Sequence, residues 1–198
     1  FMSDNGTEPG QRKWGSGEPF RGLKWSALEG GTRVPCILRF PDVIPSGEVT
    51  DKLTTAIDLL PTLAGACGIK LKEGPGIVPK VDGLNLWSSL QGEAKAHPRK
   101  SLLYWHGWAM PQAIRVGDWK LYLDKVKEIP GTNKGPVLID LSKDPGEEKD
   151  LASEHPEKVK ELKELASKLL SEIEKNSISL GGPDNPKKQN KKGAFWLK

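Results

Sequence analysis

A long amphipathic segment toward the carboxyl end constrains the fold more than any other part of the chain. From Pro156 onward, apolar residues recur every three or four positions and charged residues fill the positions between them. This spacing predicts a helix with one apolar face, and a proline suits the first turn of such a helix. The face, which requires a partner to pack on, is formed by Val159, Leu162, Ala166, Leu169, Leu170 and Ile173.

Four short runs rich in aliphatic and aromatic residues precede this helix and can supply that partner. They cover residues 101–105, 112–116, 119–123 and 137–141. Gly117 and Asp118 alone separate the second run from the third, which is typical of a β-hairpin with a two-residue turn. We therefore predict a small antiparallel four-stranded sheet packed on the C-terminal helix.

The amino-terminal part of the chain mixes strand, loop and helix signals. The predicted elements are the end of a strand at residues 1–3, a surface loop at 7–22, a strand at 34–40 and a helix that Asp58 caps and Gly68 ends. The sequence thus predicts an α/β chain in three parts. Residues 1–83 form the first part, 84–176 form the sheet-and-helix subdomain, and 177–198 form a basic flexible tail.

Composition argues against several classes of protein. No apolar run approaches the roughly 18 residues that a membrane span needs, so we expect no membrane anchor. The net charge of +4 is modest and lysines alternate with glutamates, which argues against a nucleic-acid partner. Cys36 and Cys67 lie in apolar surroundings without a nearby histidine, so we predict buried free thiols and neither a disulfide nor a zinc site.

Asp4 and Asn5 are the first candidates for a functional site. Their carboxylate and amide oxygens are ligands that suit Ca²⁺ or Mg²⁺, and they follow a predicted strand, where α/β sheets place their ligands. Asp, Asn and Gly are also residues that strongly favour a tight turn. From these residues alone, an ordinary tight turn is the simpler interpretation.

Two further positions, Lys24 and His106, carry chemistry that a site would need, whereas Glu29 and Arg33 stay outside the predicted site. Lys24 is a candidate for binding an anion, although a solvated loop lysine is the ordinary alternative. His106 ends a predicted strand among aromatic residues and is a candidate for lining a substrate site, with a packing role as the alternative. We expect a salt bridge between Glu29 and Arg33 that fixes the loop between them.

The order of several short segments along the chain is more specific than any one of them. The segments are Ser-Asp-Asn-Gly at 3–6, Phe-Arg-Gly-Leu-Lys at 20–24, Glu-Gly-Gly-Thr-Arg-Val-Pro at 29–35, Ile-Asp-Leu-Leu-Pro-Thr-Leu at 57–63, the stretch 82–92, Ala-Ile-Arg-Val-Gly-Asp-Trp-Lys-Leu at 113–121, and 140–147. In this order they resemble the formylglycine-dependent, arylsulfatase-like sulfatases of the alkaline phosphatase superfamily. The resemblance extends from residue 1 to about residue 175.

The resemblance implies an activity, a fold and a role for three of the candidate residues. It implies hydrolysis of a sulfate ester, either a small molecule or a glycan, by a fold of which this chain is the C-terminal portion, with residues 1–83 as the end of a large α/β domain that contains a mixed sheet. Asp4 and Asn5 would hold Ca²⁺ or Mg²⁺, and Lys24 would bind the sulfate as a catalytic residue. His106 stays a candidate for substrate contact from its own position in the sequence. The family also implies a periplasmic, secreted or lysosomal-type location, which is not readable from the sequence itself.

The nucleophile of that family has no counterpart in this chain. In the family it is a formylglycine made from a cysteine in a Cys-x-Pro-x-Arg type of motif. Cys36 is followed by Ile-Leu-Arg and Cys67 by Gly-Ile-Lys, so neither cysteine matches. We expect the formylglycine in a missing N-terminal half of the same fold, and we expect this chain alone to be inactive.

Two alternatives stay open on the sequence. A phosphodiester or phosphonate monoester hydrolase of the same superfamily would share this half of the fold. A non-catalytic glycan-binding module would use Trp14, Trp105 and Trp108 to stack on a sugar.

Overall fold

The part of the chain that the structure describes forms an α/β arrangement with one small sheet. A computed structural model describes residues 1–15, 17–72, 81–93, 99–106, 110–132 and 134–176. The helices and strands are α1 Glu29–Thr32, α2 Leu59–Ala66, α3 Trp87–Leu90, β1 Ser101–His106, β2 Met110–Val116, β3 Trp119–Tyr122, β4 Val137–Asp140 and α4 Pro156–Asn176, with short 3₁₀ helices at Pro9–Trp14 and Ala56–Asp58. Across the described ranges, none of the helices combines the length and apolar character that crossing a membrane requires.

The four strands form an antiparallel meander in chain order, which confirms the predicted sheet. In the β2–β3 hairpin Val116 pairs with Trp119, so the turn contains two residues. Its first residue, Gly117, has a φ of +58°, a left-handed conformation that glycine adopts without steric cost. Strand β1 pairs with β2 through a bulge between Tyr104 and Trp105.

Helix α4 covers one face of this sheet, as its apolar stripe predicts. Ile114, Leu121 and Leu138, one from each of the three strands β2 to β4, are buried in a cluster with Leu162 and Ala166 of the helix. All five are at most 2% exposed. Each large aliphatic side chain buried in this way stabilises the fold by about 1.5–3 kcal/mol.

The opposite face of the sheet packs against a segment from the amino-terminal part of the chain. Side chains that alternate with the first set along the strands, including Val137 and Ile139, form a second buried cluster. Ala27 and Leu28, just before α1, complete this cluster. The sheet is therefore buried on both faces, and it anchors the loop that leads into α1.

Helix α2 confirms the predicted helix, but Asp58 has a different role from the predicted cap. Its carboxylate accepts no hydrogen bond from the first turn of α2. It accepts the main-chain N–H groups of Thr55 at 2.9 Å and Leu84 at 2.7 Å, and it forms an ion pair with Arg99. Burial raises the pKa of Asp58, but the hydrogen bonds from Arg99 and Leu84 outweigh it and leave that pKa below its ordinary value.

Two predictions about this half of the chain are wrong. The strand predicted at residues 34–40 is reduced to one isolated bridge between Met2 and Cys36, because within the described part of the chain no strand lies beside it to extend the ladder. Both cysteines are free as predicted, but Cys36 and Cys67 are exposed and not buried. The predicted tail at 177–198 lies outside the described residues, and the division into 1–83 and 84–176 stays a prediction.

Candidate functional site

The turn that contains Asp4 and Asn5 is fixed by main-chain contacts. The Ser3 hydroxyl donates to the carbonyl oxygen of Asn5 at 2.9 Å, and the Gly6 N–H donates to the carbonyl oxygen of Gly31 in α1 at 3.0 Å. A Cβ atom on Gly6 would lie 1.9 Å from a carbonyl oxygen of α1, so no other residue fits there without movement of the backbone. The turn therefore depends on close contact with α1.

Asp4, Asn5 and Lys24 line one open cleft of about 1130 Å³, so the structure brings together three of the four predicted site residues. The loop of Lys24 adjoins the turn because the Lys24 N–H donates to the carbonyl oxygen of Thr7 at 3.0 Å. Main-chain atoms of His106 end strand β1, but its side chain lies outside the described residues.

The Lys24 ammonium group already has an acidic neighbour. Its Nζ atom lies 3.0 Å from Oε2 of Glu8 and 5.2 Å from the ring centre of Trp25. The two charged side chains are 32% and 45% exposed, so solvent screens their attraction and the pair contributes about 0–1 kcal/mol. Glu8 was not predicted as a site residue, because nothing in its local sequence distinguishes it from other surface acids. An anion can displace such a weak partner from Lys24.

The cleft also contains aromatic and basic side chains that the sequence did not assign to the same site as Lys24. Phe20, Trp14 and Arg33 line it together with Lys24. The Arg33 guanidinium lies 4.5 Å from the ring centre of Phe20. Cationic and aromatic side chains in one cleft suit a ligand with an anionic group and a flat or ring-shaped body.

Asp4 and Asn5 have the right chemistry for a hard cation but form an incomplete set. A calcium ion takes six to eight oxygen ligands, and these two residues supply one carboxylate and one amide oxygen. Among the residues that the structure describes, no three His, Cys, Asp or Glu side chains lie close enough to hold a metal ion together. Any metal at this turn therefore needs further oxygen ligands besides these two side chains.

The predicted salt bridge between Glu29 and Arg33 is wrong. The Glu29 carboxylate turns inward to the sheet, where it accepts hydrogen bonds from the Tyr104 hydroxyl at 2.8 Å, the Arg115 guanidinium at 2.9 Å and the Lys120 ammonium at 2.9 Å. Three donors in a buried setting are stronger partners than one exposed arginine. Arg33 instead keeps only its main-chain N–H close to Glu29, at 2.6 Å from the carbonyl oxygen.

Lys120 is the centre of a buried charged cluster. Its side chain is fully buried, and its Nζ atom lies 2.8 Å from Oε1 of Glu147 and 2.7 Å from the carbonyl oxygen of Ala27 in addition to the contact with Glu29. The Tyr122 hydroxyl donates to Oε1 of Glu147 at 2.5 Å. We call this set the Glu29–Lys120–Glu147 cluster; it consists of Glu29, Tyr104, Arg115, Lys120, Tyr122 and Glu147.

The cluster lowers the pKa of its Glu29 carboxyl and raises the pKa of its two tyrosines. Burial alone raises the pKa of Glu29, but the charges of Lys120 and Arg115 outweigh it and hold that pKa below its ordinary value. Burial and a neighbouring carboxylate raise the pKa of Tyr104 and of Tyr122 well above 10. The two tyrosines are therefore hydrogen-bond donors throughout the neutral range.

Comparison with known proteins identifies what the chain is similar to. Residues 1–69 match the family model described as Sulfatase. The chain is 31% identical over 184 residues to the steryl-sulfatase of Mus musculus, an alignment with 78% of this chain and 29% of that protein. It is 35% identical over 172 residues to a sulfatase of Formosa agariphila, an alignment with 79% of this chain and 29% of that protein.

A solved structure shares the fold. The crystal structure of the PsFucS1 sulfatase from Pseudoalteromonas sp. matches with a TM-score of 0.74 at 22% identity, over 90% of this chain and 38% of that one. This likeness confirms the predicted α/β fold class, with its alkaline-phosphatase-like architecture, four-stranded antiparallel sheet and C-terminal helix. The chain spans less than a third of the length of the two curated relatives.

Proposed function

Since the chain belongs to the sulfatase family, we propose that it supplies part of the metal and sulfate site of a sulfuric ester hydrolase. The observation that supports this most directly is that Asp4, Asn5 and Lys24 line one cleft, although they come from two separate loops. The substrate is a sulfate ester of a small molecule or a glycan.

Each residue has a role that follows from its chemistry. Asp4 and Asn5 hold Ca²⁺ or Mg²⁺ through their carboxylate and amide oxygens. When bound, the metal withdraws electron density from the sulfate group. Lys24 binds a sulfate oxygen in place of Glu8, and its positive charge stabilises the negative charge that develops as the S–O bond breaks. His106 contacts substrate from the end of β1.

The nucleophile and the remaining metal ligands belong to an N-terminal half of the same fold under this proposal. Exposed apolar side chains support a packing partner: Leu60 and Leu63 of α2 are 56% and 61% exposed, and Ile37 is 63% exposed. Without a formylglycine, the chain has no group to attack sulfur. It therefore hydrolyses no sulfate ester by itself.

The comparisons do not favour the two alternative functions. The relatives named above are sulfatases, whereas a phosphodiester or phosphonate monoester hydrolase would require relatives of that kind. A non-catalytic glycan-binding module rests on Trp14, Trp105 and Trp108, and Trp108 lies outside the described residues.

The site can be tested by titration of the ¹⁵N-labelled chain with sodium sulfate and, separately, with calcium chloride. We expect sulfate to move the amide resonance of Lys24 and calcium to move those of Asp4 and Asn5, both at millimolar concentration because the site is incomplete. Lys24→Met should weaken the sulfate response about threefold or more, since a charge contact of about 0.7 kcal/mol is lost. Lys52→Met, which removes a lysine from outside this cleft, is the matched control.

Two outcomes would count against the proposal. One is a sulfate response that Lys24→Met leaves unchanged, and the other is a calcium response that survives Asp4→Ala. A parallel titration with sodium phosphate tests the phosphoester alternative, which predicts tighter binding of phosphate than of sulfate. Turnover of 4-nitrophenyl sulfate by the purified chain would disprove the missing-nucleophile part of the proposal.

A further inference from the structure

The Glu29–Lys120–Glu147 cluster takes no part in the chemistry proposed above. None of its six members lines the cleft that contains Asp4, Asn5 and Lys24. The Glu29, Lys120 and Glu147 side chains are nonetheless at most 1% exposed. Burial of ionised groups is costly unless every one has a partner, so a cluster of this kind calls for an explanation other than general stability.

The cluster connects α1 to three strands of the small sheet. Tyr104 is in β1, Arg115 in β2 and Lys120 in β3, and all three donate to the one carboxylate of Glu29. The main chain of α1 is held as well, because the Glu29 N–H donates to Oε2 of Glu147 at 2.8 Å. Both the side chain and the backbone of the first residue of α1 are thus attached to the C-terminal part of the chain.

The two glycines after Glu29 lie in close contact with neighbouring backbone. Helix α1 therefore cannot move without moving that backbone. The Gly30 N–H donates to the carbonyl oxygen of Arg21 at 2.7 Å. A Cβ atom on Gly30 would lie 2.5 Å from the same oxygen, and one on Gly31 would lie 2.4 Å from the carbonyl oxygen of Leu23. Helix α1 therefore packs backbone to backbone against the loop that leads to Lys24.

Helix α1 also contacts the turn of the candidate site directly. Gly31 accepts the Gly6 N–H at 3.0 Å, and Gly6 approaches the Gly30 carbonyl group too closely to allow any side chain. A shift of α1 therefore has to displace Gly6 or break its hydrogen bond. Gly6 follows Asn5 immediately, so such a shift changes the direction of the Asp4 and Asn5 side chains.

We infer that Glu29, Lys120 and Glu147 are positioning residues, through which the C-terminal sheet holds α1, and thereby the Asp4–Asn5 turn and the Lys24 loop, in one arrangement. Directional, charge-assisted hydrogen bonds fix α1 in one place, which apolar packing alone does less selectively. The inference rests on the proposed function only where it calls the turn a functional site.

The test measures position and not activity, so it can fail independently of the proposed function. The ¹⁵N-labelled chain is compared with its Lys120→Met variant for amide chemical shifts and hydrogen exchange at Gly6 and Lys24. We expect both resonances to move and the Gly6 amide to exchange about tenfold faster, because its hydrogen bond to Gly31 opens more often. The amides of Ile114 and Leu121, which face α4, report whether the sheet itself stays formed.

Lys143→Met is the matched control, because Lys143 pairs with Asp140 beside the same sheet but is 82% exposed. Tyr122→Phe is a milder second variant that removes just the hydrogen bond to Glu147, and we expect a smaller change of the same kind at Gly6. If Lys120→Met does not fold, Tyr122→Phe decides the question. Unchanged Gly6 and Lys24 resonances in a folded variant would overturn the inference and leave the cluster a purely structural one.

Discussion

Replacement of Lys120 with methionine offers the most direct measurement of what the buried cluster contributes to stability. Methionine has a similar length and no charge, so the substitution removes the ammonium group and leaves little empty space. The lost contacts are those from Nζ to Glu29 at 2.9 Å, to Glu147 at 2.8 Å and to the carbonyl oxygen of Ala27 at 2.7 Å. The ammonium group also lies 4.2 Å from the ring centre of Tyr104.

The expected cost follows from the charge balance of the cluster. Two glutamates face Lys120 and Arg115 in the intact chain, and after the substitution Arg115 alone compensates both carboxylates. Removal of one partner from a buried ion pair typically costs about 3–5 kcal/mol, a large part of the 5–15 kcal/mol that stabilises a domain. For a chain of 198 residues this corresponds to a melting temperature lower by about 6–20 °C.

Urea denaturation at pH 7, followed by far-ultraviolet circular dichroism, measures the free energy of unfolding. Lys143→Met should change it by less than about 0.5 kcal/mol. The double variant Lys120→Met/Glu147→Gln should lose about 1–3 kcal/mol less free energy of unfolding than the sum of the losses in its single variants. In the double variant, one buried positive charge, Arg115, again faces one buried negative charge, Glu29. A loss below about 1 kcal/mol for Lys120→Met would refute the reasoning, since it would mean that the carboxylates are solvated or lose their charge without cost.

Three further predictions concern acid stability, the site turn and anion binding. The pKa of Glu29 is lower in the folded chain than its ordinary value of 4.5. The ionised carboxylate therefore stabilises the folded chain fully above pH 4.5, and this contribution is lost as the pH falls through the lower folded pKa. Urea denaturation at several pH values from 7 to 3 should show this loss, and Glu29→Gln should weaken the pH dependence. Gly6→Ala should lower the free energy of unfolding by about 1–3 kcal/mol in urea because its Cβ overlaps α1, whereas Gly10→Ala, which meets nothing within 4 Å, should not. Glu8→Gln should tighten sulfate binding about twofold to fivefold in a resonance titration, because Lys24 loses a competing partner.

Each of these predictions has a contrary outcome. Equal slopes of stability against pH for the parent chain and Glu29→Gln would show that this carboxyl does not govern acid unfolding. Equal stability of the Gly6 and Gly10 variants would mean that the turn at Gly6 can move away from α1 without a loss of free energy of unfolding. Sulfate binding that weakens in Glu8→Gln would indicate that Glu8 orients Lys24 and does not compete with the anion.

Local patterns predicted the C-terminal part of the fold well. The hairpin at Gly117 depends on a two-residue turn, and α4 depends on a spacing of three and four residues, so both follow from neighbours in sequence. The strand predicted at residues 34–40 failed because a strand needs a partner, and its only described one is Met2 at Cys36. The exposure of Cys36 and Cys67 was not predicted either, because burial depends on which other segments cover a residue, and its neighbours in sequence do not determine this.

The residues of the candidate site were proposed from the sequence, whereas the contacts that hold them in place were not. Asp4, Asn5 and Lys24 were identified from the resemblance, and the structure places them in one cleft. Glu29 was assigned to Arg33, four residues away, whereas its partners Arg115 and Lys120 are 86 and 91 residues away. A lysine in a hairpin strand is ordinarily a solvent-facing residue, so the sequence had no local signal that Lys120 is buried.

The attachment of α1 also affects the order in which the chain can fold during synthesis. Glu29 and Glu147 are separated by 118 residues, so Glu29 leaves the ribosome well before this partner is made. At about 5–20 residues per second, this delay is roughly 6–24 s. Until Glu147 has been made, the nascent chain presents Glu29 without its full set of partners. The Asp4–Asn5 turn is therefore made before the contacts that fix α1 can form, and it reaches its final geometry only after them.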